Sequence, residues 1–159
     1  MRRLALLGFV LVAALAACGG SGSGSGSSPT THSTTQSTAA AKAEIETAYE
    51  KFFSSKTPTS QRIALLQNGQ QFKGAISALA KNPLASNTSA TVKSVTLQGS
   101  NKAKVVYTVN VSGTAIPGLK NRKGTAVREN GMWKVGDASF CALVALGGNP
   151  PKACKNLGG

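Results

Sequence analysis

The hydrophobic period of this chain changes once. Up to Pro83 the apolar residues recur at helical spacing, and after Ser86 they alternate with polar ones. Helices that come first, followed by strands that come together, leave few folds open. The order predicts an α+β domain with N-terminal helices packed on one face of a curved antiparallel sheet.

The helical part reads as three segments. Residues 41–53, AKAEIETAYEKFF, place Ile45, Tyr49, Phe52 and Phe53 at i, i+4, i+7 and i+8, which is one helix face. That helix should end near residues 54–56, because Thr57 precedes Pro58 and is biased to an extended conformation. Residues 57–69 read as a second short helix stopped by Asn68 and Gly69, with Ile63, Leu65 and Leu66 apolar. A third carries Phe72, Ala75, Ile76, Leu79 and Ala80 on one stripe and stops at Asn82 and Pro83.

Residues 91–97 and 103–112 read as strands joined by GSNK, with Val105, Tyr107, Val109 and Val111 sharing a face. The next hairpin, VRENGMWKV over 127–135, admits two registers. A two-residue turn at Asn130 and Gly131 sets Arg128 opposite Trp133 and Val127 opposite Lys134. A three-residue loop of Glu129, Asn130 and Gly131 pairs Val127 with Trp133 and Thr125 with Val135. The second register gathers the apolar residues on one face and is the one expected. A short C-terminal helix over 138–148 follows, with Phe140, Leu143 and Val144 at helical spacing, Asp137 or Ser139 as cap and Gly147 as stop.

What precedes the helices has a different character. Arg2 and Arg3 lead into an apolar run over 4–17 that is shorter than the roughly 20 residues a membrane span needs. A basic start, a short apolar stretch and small residues at its end are the layout of a secretory signal peptide. Leu15, Ala16, Ala17 and Cys18 resemble the lipobox of bacterial lipoproteins. That resemblance implies cleavage before Cys18 and a diacylglyceryl group on its thiol. Residues 19–40 are mostly Gly, Ser, Thr and Ala and carry no formal charge. Such a stretch buries too little to offset ordering entropy, and a coil of about 22 residues has a reach on the order of 25 Å. The chain therefore divides into a signal peptide at 1–17, a lipidated Cys18 with a disordered tether at 18–40, and one α+β domain at 41–159.

Three cysteines is an odd number for an exported protein. With Cys18 lipidated, Cys141 and Cys154 remain as a disulfide pair in an oxidising compartment. The bridge would close a turn-rich loop and add about 3 kcal/mol. Their spacing is not that of a metal or redox pair.

Helix, helix, helix, then a four-strand meander resembles the nuclear transport factor 2-like cone. More narrowly, the domain resembles the C-terminal domain of the actinobacterial low-molecular-weight antigen family of secreted proteins and lipoproteins. The residues that carry this are the segment from Ala48 through Phe52 and Phe53 to Pro58, RIALLQNG with Phe72, and GTAVRENGMWKV followed by SFCAL. The resemblance covers essentially the whole folded part and brings no catalytic residues with it.

The chemistry in the chain is sparse. Five carboxylates are present, Glu44, Glu46, Glu50, Glu129 and Asp137, and the one histidine, His32, lies in the tether. Three of the carboxylates belong to the exposed side of the first helix, Glu129 to a hairpin tip and Asp137 to a helix cap. Acid–base work at neutral pH therefore lacks its usual groups. No nucleophile elbow, phosphate loop or zinc spacing is present. No cofactor, metal or catalytic residue is expected.

The formal net charge is +13, and two of those charges, Arg2 and Arg3, lie in the leader. The remaining basic residues are dispersed apart from one cluster, LKNRKG at 119–124, which supplies Lys120, Arg122 and Lys123 as candidate binding residues. Tyr107 and Trp133 are further candidates if they face a cavity. The aromatic and basic interleaving of a single-strand nucleic-acid binder is missing. The expected function is a non-catalytic domain, lipid-anchored on the outer face of the cytoplasmic membrane, that binds or scaffolds anionic lipid, glycan or an envelope protein. The alternatives are a carrier of a small apolar molecule or lipid inside the cone and, more distantly, a degenerate cone enzyme.

Overall fold

The computed structural model describes residues 37–148 and 150–157. The leader, Cys18 and the tether before Ser37 lie outside the described residues. Three helices come first: α1 (Thr38–Phe53), α2 (Thr59–Ala64) and α3 (Lys73–Ala80). Five antiparallel strands follow: β1 (Thr88–Gln98), β2 (Lys102–Val111), β3 (Thr114–Ala115), β4 (Arg122–Glu129) and β5 (Met132–Val135). A short helix α4 (Asp137–Val144) closes the order. The sheet curls into a half-barrel with the N-terminal helices against it, the α+β cone expected from the sequence.

Helix α1 begins three residues earlier than its apolar stripe suggested, because the Ser37 hydroxyl accepts a hydrogen bond from the Ala40 amide at 3.2 Å. Its buried stripe is Ala41, Ile45, Ala48, Tyr49 and Phe52, and it ends at Ser54 as expected. Helix α2 is shorter than expected. Residues 65–67 leave it to pair with β5, Val135 donating its amide to the Leu65 carbonyl at 2.8 Å and Gln67 donating to the Val135 carbonyl at 2.9 Å. This segment covers the edge that β5 would otherwise leave open. Asn68 then turns left-handed, at φ 52°, and a 3-10 turn (Gly69–Phe72) leads into α3.

The sheet order is β1-β2-β4-β5, with the two-residue β3 paired to the end of β2. Edge strand β1 carries a bulge at Lys93, where Val92 pairs with Tyr107 but Ser94 pairs with Val106. The extra residue lets Val92 and Val95, three positions apart, both pack on the core. On β2 the core face carries Ala103, Val105, Tyr107 and Val109, Thr108 is also buried, and Val111 is only half-buried.

The hairpin register expected from apolar counting is wrong. Arg128 pairs with Trp133, Val127 with Lys134 and Ala126 with Val135 across a two-residue turn. Asn130 (φ 52°) and Gly131 (φ 80°) both take positive φ, as the tight primed turn requires. The core face of β4 is made of small residues, Gly124 and Ala126, rather than of Val127. A Cβ on Gly124 would lie 2.6 Å from the Tyr49 hydroxyl oxygen. The strand is thin there because Tyr49 of α1 occupies the space.

Tyr49, Tyr107, Phe72, Phe140, Ile45, Leu66, Val105 and Val135 are fully buried. Phe140 of α4 meets Phe72 edge-on at 5.3 Å and Phe52 at 6.0 Å between ring centres, so the last helix locks onto the first part of the chain. Cys141 and Cys154 form the expected disulfide, with Cα atoms 5.5 Å apart, tying α4 to a C-terminal 3-10 turn (Lys152–Asn156).

Candidate functional site

After β5 the chain turns at Gly136, whose amide donates to the Thr125 carbonyl at 2.8 Å, and α4 runs beside the first half of β4. The Ser139 hydroxyl accepts from the Thr125 amide at 2.6 Å, and the Tyr49 hydroxyl donates to the Thr125 carbonyl at 2.6 Å. Asp137 is not a conventional cap. It is the first residue of α4, accepting from the Ala138 amide and from Asn68 Nδ2, each at 2.7 Å. Its role is to pin the turn at Asn68 to the start of α4.

This placement leaves a groove of about 470 Å³ between α4 and the outer face of the sheet. Strand registers decide what lines it. Thr96, Lys104 and Thr125 form one cross-strand row, and Ser94, Val106 and Lys123 the next. Val106, Ala138 and Ala142 give the groove an apolar lining, while Lys104 and Lys123 place ammonium groups on it. Lys102 lies one row further along the same face, opposite Gln98 and Val127. Lys102, Lys104 and Lys123 are exposed. The arrangement suits a phosphate or carboxylate with an apolar portion, because lysine contributes a mobile point charge and needs no planar partner.

The structure divides the five candidate binding residues. Lys123 lines the groove, and Lys120 is exposed in the loop before β4. Arg122 is already in β4, paired with Tyr107 and so on the opposite side of the sheet from Lys123. Burial pushes the Tyr107 phenol up from its ordinary value, and the charge of Arg122 opposes that. Tyr107 and Trp133 are 1 % and 4 % exposed and belong to the core. Tyr107 packs 5.0 Å from Tyr49 and 5.2 Å from Phe53, between ring centres. Sequence reasoning missed Lys102 and Lys104. Their signal was alternation: they precede Ala103 and Val105 in a strand whose other face is buried.

Among the described residues no group of three or more His, Cys, Asp or Glu is placed to hold a metal ion. No described helix is long and apolar enough to cross a membrane. No curated protein matches the chain. The family described as low molecular weight antigen MTB12, C-terminal domain, matches residues 38–151, from the first turn of α1 past the end of α4. With more than half of its length matched, the groove and its lysines included, the chain belongs to the family of the low molecular weight antigen MTB12 C-terminal domain.

Proposed function

We propose that this chain is a non-catalytic domain, lipid-anchored through Cys18 on the outer face of the cytoplasmic membrane, that binds anionic envelope components. The observation that carries the reading is the groove beside α4, with an apolar lining and Lys104 and Lys123 on it. Near an anionic leaflet each such cation contributes roughly 1 kcal/mol, which would supplement the lipid anchor. Two of the five carboxylates have structural work: Glu129 is paired with Lys134 at 3.2 Å and Asp137 with Asn68. The carrier alternative has less support, since Tyr49, Tyr107, Phe72 and Phe140 fill the space where a cone would hold cargo.

Flotation with liposomes tests the reading. The mature chain with Cys18→Ser should float with vesicles containing phosphatidylglycerol, less so as salt rises, and not with phosphatidylcholine alone. Lys104→Glu with Lys123→Glu should abolish the effect. Binding that ignores salt, or survives the double change, would overturn it.

A further inference from the structure

Arg62 sits on α2 and is only 9 % exposed. Its Nη2 donates to the Ser54 carbonyl at 2.6 Å, at the end of α1, but its Nε is buried without a partner. Among the described residues the ion pair formed is between Lys134 and Glu129, so no carboxylate balances this guanidinium. Burial lowers its pKa below the ordinary guanidinium range, yet a guanidinium stays charged at neutral pH. A buried charge with no counter-ion is costly, and natural sites pair it.

Arg62 lines a cleft of about 140 Å³ between the helices and the far end of β2, walled by Phe52, Phe53, Ile76, Val109 and Leu143. At Leu79 and Leu143 this cleft adjoins a groove of about 460 Å³ between α3 and α4, which continues over Ala78, Val144 and Pro151. Leu79, at the junction, is 40 % exposed. A cation at the narrow end, apolar walls and an apolar exit together describe one kind of ligand.

We infer that the cleft takes the head of a single-chain carboxylic amphiphile, its carboxylate against Arg62 and its chain leaving past Leu79 and Leu143 along the α3–α4 groove. The planar guanidinium matches a carboxylate. The narrow end holds roughly five water-sized groups, room for one head and the start of one chain. The site shares helix α4 and strands β1 and β2 with the lysine groove but none of its lining residues, and does not depend on it.

Calorimetric titration of the Cys18→Ser mature chain with dodecanoate, dodecanol and dodecyl phosphate, all as monomers, tests this. Dodecanoate should bind one to one and about tenfold or more tighter than dodecanol, the difference one charge-assisted hydrogen bond makes. Arg62→Gln, which removes the charge and ends the side chain at the position of Nε, should erase that preference. Leu79→Asp, at an exposed position, should weaken dodecanoate about tenfold by opposing the chain's path. Lys104→Glu with Lys123→Glu should leave dodecanoate binding unchanged, which separates this site from the flotation result. Equal affinity for acid and alcohol, or tighter binding of dodecyl phosphate, would overturn the assignment. If Arg62→Gln does not fold, the acid–alcohol comparison on the parent chain and Leu79→Asp still decide.

Discussion

Two polar side chains enter the interior from neighbouring helices, and they are treated in opposite ways. Tyr49 of α1 is fully buried, and its hydroxyl donates to the Thr125 carbonyl and lies 3.5 Å from Ser139 Oγ. Every group at that junction has a partner. Arg62 of α2 has one bond to Ser54 and a buried Nε with none. A buried neutral hydroxyl that is satisfied reads as structure. A buried cation left partly unsatisfied beside an apolar cleft reads as a place kept for something else.

The comparison can be broken at several points, the largest first. Helix α4 supplies both regions, Ser139 to the junction and Phe140 and Leu143 to the cleft, and the disulfide holds it at Cys141, past its midpoint. Changing Cys141 and Cys154 together to Ala should lower unfolding stability by about 3 kcal/mol in urea titrations. It should also loosen dodecanoate binding, since a cleft wall is released. Gly124→Ala attacks the junction alone: its Cβ would crowd the Tyr49 oxygen and, at 3.0 Å, Tyr107 Cε1. The expected loss is about 1–3 kcal/mol, read as a lower denaturation midpoint.

Tyr49→Phe is gentler, about 1 kcal/mol at neutral pH, because the Thr125 carbonyl keeps the Gly136 amide as a partner. It also has a pH signature. Burial holds the Tyr49 phenol well above its ordinary 10.0, against a smaller lowering by the bond to Ser139. A raised folded-state pKa contributes stability that is complete below the unfolded value and is lost as pH rises through the folded one. The parent chain should therefore lose stability above about pH 10 more steeply than Tyr49→Phe does. Smallest of all, Lys104→Glu with Lys123→Glu should change stability by no more than about 0.5 kcal/mol per site in the same titrations, because both side chains are exposed.

Features decided locally were legible in the chain. The spacing of Ile45, Tyr49 and Phe52 named the buried face of α1, and counting cysteines paired Cys141 with Cys154. What depended on packing between distant segments was not. Counting apolar residues across the hairpin favoured Val127 as a core residue, whereas the core face carries Gly124 and Ala126, and the incoming Tyr49 leaves no room for a Cβ at Gly124. Tyr107 and Trp133 looked available for a ligand because nothing in the strands announces the helix that covers them. Lys104 and Lys123 are far apart in sequence and meet only through the β2–β4 register, while Arg122 and Lys123 are neighbours in sequence that the strand sends to opposite sides, with Lys120 left in the loop before it. Arg62 gave no local sign at all. Its burial comes from α1, α3 and α4 closing around α2.

The bulge at Lys93 bears on how these molecules behave when crowded together. Strand β1 is 11 residues long and forms the edge of the sheet. A straight edge of that length invites the same strand of a neighbour to zip onto it. Here the ladder is broken in its middle, and an exposed lysine stands at the break. Two copies brought side by side would meet an interrupted backbone and like charges, so concentrating the protein in a plane need not cost it its separateness.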